Sequence, residues 1–254
     1  MSLEGFSEEA FECLGEIRFA GFAPVSTIDY PGEVAAVIYM PGCNLRCPYC
    51  HNKGIVEGKG DDLKWDDIRS RLEQHVGVIT GVVITGGEPT LYYNALHALL
   101  GYLVYETDLK IKLDTNGTGI KALRDLMCYV DYLAMDFKCP ESSWGTFTTG
   151  CPWPYDHLAE IALMAQNRNM PMELRTTVHR AVLPLASLGE MAALRTRQGC
   201  CGIPWYLQRF RPCECFDAEL NDIPNYTPEE LAFVARELGA FTRGCGEYDV
   251  LPGN

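Results

Sequence analysis

Apolar residues in this chain fall into short runs separated by polar turns, and the spacing alternates between strand and helix periods. Val34 to Met40 is a continuous apolar run bounded by Gly and Pro, the form of a strand buried on both faces. Lys64 to His75 carries Trp65, Ile68 and Leu72 on one side and charges on the other, which predicts a helix. The alternation then repeats. Gly81 to Thr85 is a short β-branched strand followed by a helix over Thr90 to Tyr105, and Leu109 to Leu113 is a strand followed by a helix to about Cys128. Tyr132 to Phe137 is the next strand, and a helix over Tyr155 to Asn169 begins behind Pro152 and Pro154. Met172 to Val178 and Trp205 to Phe210 are two more strands, separated by a helix from about Leu185 to Gln198, and a last helix spans Pro228 to Ala240. Ahead of all these, the acidic first fifteen residues suggest a short helix, and Glu16 to Gly32 reads as a strand or turn leading in.

Six strands, each but the last followed directly by a helix, predict a parallel sheet with right-handed crossovers. A closed barrel of about 250 residues has eight strands, so six predict an α/β fold of the open kind, a partial (βα)6 or three-quarter TIM barrel. No repeat, low-complexity segment or linker divides the chain. Residues 1–254 therefore read as one domain, with a core over about 16–212 and a C-terminal extension over 213–254.

Composition narrows the class. A chain of 254 residues with 47% hydrophobic residues can bury a substantial core. The longest apolar helical candidate, Ala95 to Tyr105, is interrupted by His97 and Gly101 and is well short of the roughly 18 residues of a membrane span. With no apolar leader at its start, the chain is expected in the cytoplasm and away from membranes. A net charge of -13 speaks against binding nucleic acid and leaves a protein partner open. Twelve cysteines without an export signal point to a reducing compartment and to metal or redox chemistry.

Three of those cysteines, Cys43, Cys47 and Cys50, stand in PGCNLRCPYCHN, residues 41–52, directly after the first predicted strand. Three thiolates can hold three irons of a cubic 4Fe-4S cluster and leave the fourth iron open to a small molecule. A buried cysteine stripe on a helix is disfavoured by Pro48 and Gly42. A zinc site of three thiolates and His51 has a common donor set but lacks the paired C-x2-C knuckles.

The C-x3-C-x2-C spacing with Tyr49 before the last cysteine resembles the signature of the radical S-adenosylmethionine enzymes. That resemblance implies one 4Fe-4S cluster held by Cys43, Cys47 and Cys50. It also implies S-adenosylmethionine on the open iron, cleaved by one electron to a 5'-deoxyadenosyl radical, and a fold of the radical-SAM partial-barrel type. The other polar motifs fall at the ends of predicted strands, where such a fold places its site. Gly86-Gly87-Glu88 resembles the family motif beside the methionine moiety. Two glycines permit close approach, and Glu88 can accept hydrogen bonds from an ammonium; a plain strand-to-helix turn at Pro89 is the alternative. Asp114 and Asp136 resemble paired positions that help hold a monovalent cation, with Lys138 near the cofactor. The alternatives are a turn cap for Asp114 and a solvated charge for Lys138. Tyr49 would lie against the adenine or simply pack. Arg175, a charge in an apolar strand, either meets a ligand carboxylate or ribose or pairs with Glu173. His51 and His179 are weaker ligand candidates.

GFAPVSTIDYPGEVAAVIYMPGCNLRCPYCHN, followed by TGGEPTL, LDTNGT, DYLAMDFK and YLQRFRP, resembles the anaerobic ribonucleoside-triphosphate reductase activating proteins over most of residues 16–212. The resemblance implies that a glycine Cα–H of a glycyl-radical enzyme, the anaerobic ribonucleotide reductase large subunit, is the substrate. It further implies that a flavodoxin- or ferredoxin-like protein supplies the electron. A pyruvate formate-lyase-type activase is disfavoured, because Gln208, Arg209 and Phe210 stand where that group carries a histidine. A small-molecule enzyme such as 7-carboxy-7-deazaguanine synthase and a noncatalytic cluster or zinc protein are the other readings. Cys200, Cys201, Cys213 and Cys215 are candidates for a second metal site.

Overall fold

The computed structural model describes residues 8–148 and 150–252. By contact the chain forms two compact units: Met1–Asn44, Gly54–Thr115 and Gly119–Leu133 make the first, and Leu45–Lys53, Asn116–Thr118 and Ala134–Asn254 make the second.

The first unit opens with helix α1 (Glu8–Glu16) and strand β1 (Gly21–Ser26). β1 runs antiparallel to β2 (Ala35–Met40), pairing Gly21 with Tyr39 and Phe22 with Ile38. The register breaks between Ala23 and Ser26, where Pro24 has no N–H to offer a ladder. β2 is buried along nearly its whole length, as a continuous apolar run requires when both faces are covered. Beyond it, a one-turn helix α2 (Lys53–Val56) and helix α3 (Trp65–Gln74) lead to β3 (Gly81–Gly86). α3 buries Trp65, Ile68 and Leu72, the stripe set by its period. β3 lies parallel to β2, Ala35 opposite Gly81 and Met40 opposite Gly86, and parallel to β4 (Lys110–Thr115) on its other side. Helix α4 (Tyr93–Glu106) connects β3 to β4, and α5 (Ile120–Leu126) follows β4. α4 starts later than the pattern predicts, because Pro89 to Leu91 form a separate 3-10 turn capped by the Glu88 side chain. Tyr30, Ala35, Val37 and Val83 form a core cluster here, with Tyr39 and Tyr132 packed against it.

β5 (Tyr132–Asp136) begins with the last two residues of the first unit and ends in the second. In the second unit the Phe137 N–H donates to the Arg175 carbonyl of β6 (Met172–Val178) at 2.7 Å. β6 is parallel to β7 (Trp205–Arg209), and β7 to β8 (Phe241–Arg243). Helices α6 (Leu158–Asn167), α7 (Leu185–Arg197) and α8 (Pro228–Glu237) complete the connections. α8 starts as its sequence signals: Pro228 holds the first position, and Thr227 and Glu230 exchange side-chain-to-backbone bonds as a capping box. The aromatic core is continuous: Tyr155 packs edge-on to Phe137 at 4.9 Å, and Phe137 lies 5.7 Å from Trp205.

Among the described residues the strands number eight where the pattern shows six. β8 is three residues, too short for a period to register, and β1, within the stretch read as a strand or turn leading in, is interrupted by Pro24. Among the described residues no helix is long and apolar enough to cross a membrane.

Candidate active site

Within the first unit, the ends of β2, β3 and β4 carry Cys43, the Gly-Gly-Glu turn and Asp114. The Gly87 N–H donates to the Met40 carbonyl at 2.9 Å and the Glu88 N–H to the Gly42 carbonyl at 2.9 Å, so the two loops share a backbone ladder. That approach explains both glycines. A Cβ on Gly87 would lie 1.5 Å from the Gly42 oxygen, and Gly86, at φ +116°, would place one 2.3 Å from the Met40 oxygen. The close approach expected of this pair is therefore made to the base of the cysteine loop. Glu88 has no exposed surface. Its Oε1 accepts from the Thr90 N–H (3.0 Å), the Thr90 hydroxyl (2.5 Å) and the Thr115 hydroxyl (2.7 Å), tying the end of β3 to the end of β4. The carboxylate expected to meet a ligand ammonium is thus turned inward in this structure. Asp114 accepts from the Lys112 ammonium, a buried side chain the sequence reading passed over.

The second unit carries Cys47, Tyr49, Cys50 and His51. Cys47 is buried and Cys50 half-buried; the Cys50 N–H closes a turn onto the Cys47 carbonyl at 3.0 Å, around Pro48. Burial raises the Cys50 thiol pKa, and the nearby positive charge of Lys138 draws it back. The Tyr49 ring is enclosed edge-on to Phe147 at 5.7 Å, and its hydroxyl donates to the Lys138 carbonyl at 3.4 Å. These contacts fit the packing alternative. His51 donates Nε2–H to the Arg211 carbonyl at 3.2 Å, and burial lowers its pKa, which favours the neutral ring. The segment after β7 braces this loop. The Asp217 N–H donates to the Pro48 carbonyl at 3.0 Å, and Arg46 and Lys53 each lie 5.8 Å from the Phe216 ring centre.

Asp136, Lys138 and Arg175 meet in the same unit. Lys138 Nζ donates to Asp136 Oδ2 at 2.8 Å, and Arg175 Nε donates to Asp136 Oδ1 at 3.1 Å. Burial would raise the Asp136 pKa, but the Lys138 and Arg175 charges prevail and hold it below the usual aspartate range. Glu173, the alternative partner of Arg175, is held instead by Arg243 of β8, with contacts of 2.9 and 2.6 Å. Lys138 and Arg175 thus stand together at Asp136, both partly exposed, and each is able to donate to a carboxylate ligand. His179 is buried beside Phe210.

Tyr155 was missed by sequence and holds this turn together. Its hydroxyl accepts the Lys138 N–H at 2.8 Å and donates to the Asp136 carbonyl at 2.7 Å, with no part of the residue exposed. Tyr155→Phe leaves both backbone groups unsatisfied and is expected to cost about 1–3 kcal/mol, read by denaturant unfolding; an unchanged midpoint would show that the clamp carries no stability. Asp136→Asn removes the carboxylate charge to which both Lys138 and Arg175 donate. Removing one partner of a buried pair costs about 3–5 kcal/mol, and partial exposure lowers the expectation to about 2–3. Because the native carboxyl pKa is depressed, its stabilisation is complete above the unfolded value and is lost as pH falls through the native one. Unfolding followed into acid should therefore decline more steeply for the wild type than for Asp136→Asn; parallel profiles would remove Asp136 from this role.

Cys200 and Cys201 flank the buried Arg195, which donates to both their carbonyls, while Cys213 and Cys215 stand after β7. Among the described residues no group of three or more His, Cys, Asp or Glu side chains converges on one metal ion.

The profile of the Radical SAM superfamily matches residues 37–182. A protein of Methanocaldococcus jannaschii, provisionally named a glycyl-radical enzyme activating enzyme, is 30% identical over 230 residues, covering 88% of this chain and 91% of its own. A 7-carboxy-7-deazaguanine synthase of Clostridium acetobutylicum is 32% identical over 123 residues, 46% of this chain and 52% of its own. Among solved structures, Streptococcus suis SuiB bound to S-adenosylmethionine superposes with a TM-score of 0.59 at 16% identity; the match covers 83% of this chain and about half, 52%, of that enzyme. The likeness shows a shared α/β fold.

Proposed function

From the premise that the chain belongs to the Radical SAM superfamily, within its glycyl-radical enzyme activating group, we propose that it installs a radical on a glycine of a partner enzyme. The observation that carries this reading is the likeness to the M. jannaschii protein across nearly the whole of both chains. Deazaguanine synthases match at 32% identity over about half of each chain in Clostridium acetobutylicum and at 26% over 70% of this chain in Hyperthermus butylicus, so neither combines the identity and the coverage of the M. jannaschii protein.

The residues fit the cofactors of the superfamily. Cys43, Cys47 and Cys50 offer a soft three-thiolate set for a 4Fe-4S cluster, with one iron left for S-adenosylmethionine. When bound, the pair supplies a one-electron cleavage of the sulfonium and a carbon radical able to take a hydrogen atom. Gly86 and Gly87 set the base of the thiol loop, and Glu88 fixes their turn from within. Lys138 and Arg175, braced on Asp136, would hold the cofactor carboxylate by charge-assisted hydrogen bonds. Tyr49 and His51 shape the loop between the thiols, the first by burial and the second through Arg211. A flavodoxin- or ferredoxin-like protein is the electron donor in this reading, and the anaerobic ribonucleotide reductase large subunit is the partner.

The test is to incubate the reduced, reconstituted protein with S-adenosylmethionine and the anaerobic reductase of its own source, and to record electron paramagnetic resonance spectra. A glycyl-radical doublet is the expected result. Cofactor cleavage without a doublet, where a control activase gives one, would reject the reductase as partner.

A further inference from the structure

The first unit holds a cavity to which the proposed function gives no task. Glu33, Thr80 and Lys110 line it at the starts of β2, β3 and β4, the strands whose other ends carry Cys43, the Gly-Gly-Glu turn and Asp114. It encloses about 640 Å³, within the range of small-molecule sites, about 300–1,000 Å³. Leu72 from α3 and Ile79 from the turn before β3 contribute buried apolar surface, and Leu109 adds to it. Val76 also lines the cavity and is 77% exposed, an apolar side chain that the fold leaves uncovered.

Its charge is one-sided. Four acidic side chains line the cavity, Glu33, Glu73, Glu106 and Asp108, against one basic side chain, Lys110. Glu33 is already answered: one oxygen accepts from the Lys110 ammonium and the other from the Thr80 hydroxyl at 2.7 Å. Glu73 meets Arg69 along α3 at 3.8 Å. Glu106 and Asp108 are exposed, and neither makes a hydrogen bond or ion pair among the described residues. Glu106 is also the last residue of α4, the negative end of the helix dipole, where cations are favoured, yet the last turn of α4 holds no basic residue. Burial and then the charge of Glu73 raise the pKa of the Tyr102 hydroxyl, and Glu106 adds to the rise, so carboxylates of α3 and α4 act on the same ring in the cavity wall.

We propose that this cavity binds an aliphatic polyamine, with ammonium groups on Glu106, Asp108 and Glu73 and methylenes along Leu72, Val76 and Leu109. The other ligand classes fit less well. Anions, nucleotides included, meet an acidic lining. A metal ion needs several donors at one point, and among the described residues no three His, Cys, Asp or Glu side chains converge on one. A neutral apolar molecule leaves Glu106 and Asp108 without a counter-charge. Three carboxylates interspersed with apolar lining match several ammonium groups on one chain, which a single lysine side chain of a protein does not offer. Bound at the strand ends opposite Cys43, the polyamine is a ligand that stabilises the fold by mass action and takes no part in the radical chemistry.

The experiment is isothermal titration calorimetry on the reconstituted full chain in about 0.15 M salt, with three trivalent cations as probes: spermidine, hexaamminecobalt(III) and a capped trilysine peptide. Spermidine should saturate one site per chain. It should bind at least about tenfold more tightly than hexaamminecobalt(III), which has the charge without the methylenes, and than the peptide. Glu106→Gln/Asp108→Asn should weaken spermidine by at least about tenfold, the size of one lost charge-assisted hydrogen bond. The same charge change at Asp222→Asn/Glu237→Gln, two exposed positions of the second unit, should leave the affinity within about twofold. Val76→Lys, at an exposed position, puts a competing ammonium into the lining and should weaken spermidine as much as the cavity double variant does. Equal binding of hexaamminecobalt(III) would show an acidic surface that takes any cation, and equal binding of the peptide would make a protein the occupant; either overturns the proposal. So does the absence of saturable spermidine binding, or wild-type affinity in Glu106→Gln/Asp108→Asn or in Val76→Lys. If one of these variants does not fold, the other and the three probes on the wild type decide.

Discussion

Cys47→Ala is expected to abolish S-adenosylmethionine cleavage and to leave the fold in place. Cys47 is 6% exposed, and alanine keeps its backbone and most of its small volume, so the loss falls on metal binding more than on packing. Two remaining thiolates cannot anchor three irons of a cubane. The control lies beside it. Cys139 is fully buried near Cys47, and burial, followed by the repulsion of the Cys47 thiolate, drives its pKa far up, so it stays a thiol and a poor ligand. Cys139→Ala should therefore cost stability and retain both iron and cleavage. Loss of iron in Cys139→Ala with its retention in Cys47→Ala would reverse the assignment.

Gly87→Ala is expected to have an effect of similar size by another route. No atom can sit 1.5 Å from the Gly42 oxygen, so one of the two strand-end loops must move. The shift breaks the bonds from Gly87 to Met40 and from Glu88 to Gly42 and displaces the base from which Cys43 projects. Overpacking of a rigid backbone contact costs about 3 kcal/mol or more, at the upper end of single substitutions. The variant should unfold at lower denaturant and hold little iron after reconstitution. Wild-type iron content and midpoint would show that the loops are not locked to each other as described.

The thiol loop, the Gly-Gly-Glu turn, Asp114 and Lys138 were legible because polar motifs at the ends of apolar runs stand out from a period-two pattern. Lys112 was not. Lys110 and Lys112 alternate along the same face of β4, yet Lys110 is exposed on Glu33 and Lys112 is enclosed on Asp114; only tertiary cover distinguishes them. Arg175 was ambiguous for a related reason. Alternation offered Glu173 as its neighbour, but Glu173 is claimed by Arg243 from β8, a strand three residues long that left no trace in the pattern. Tyr155 reads as an aromatic at the start of a helical segment, and nothing local shows that its hydroxyl closes the turn carrying Asp136 and Lys138. The inward turn of Glu88 likewise depends on Thr115, a residue 27 positions away.

The most direct measurement is anaerobic reconstitution with iron and sulfide, followed by reduction, addition of S-adenosylmethionine, and joint recording of the paramagnetic spectrum and of 5'-deoxyadenosine. Expected are about four irons per chain, a reduced-cluster signal that shifts when S-adenosylmethionine is added, and 5'-deoxyadenosine formed in step with methionine. Firmly held zinc in place of iron, or a cluster whose spectrum ignores S-adenosylmethionine and yields no 5'-deoxyadenosine, would contradict the three-thiolate site with its open iron.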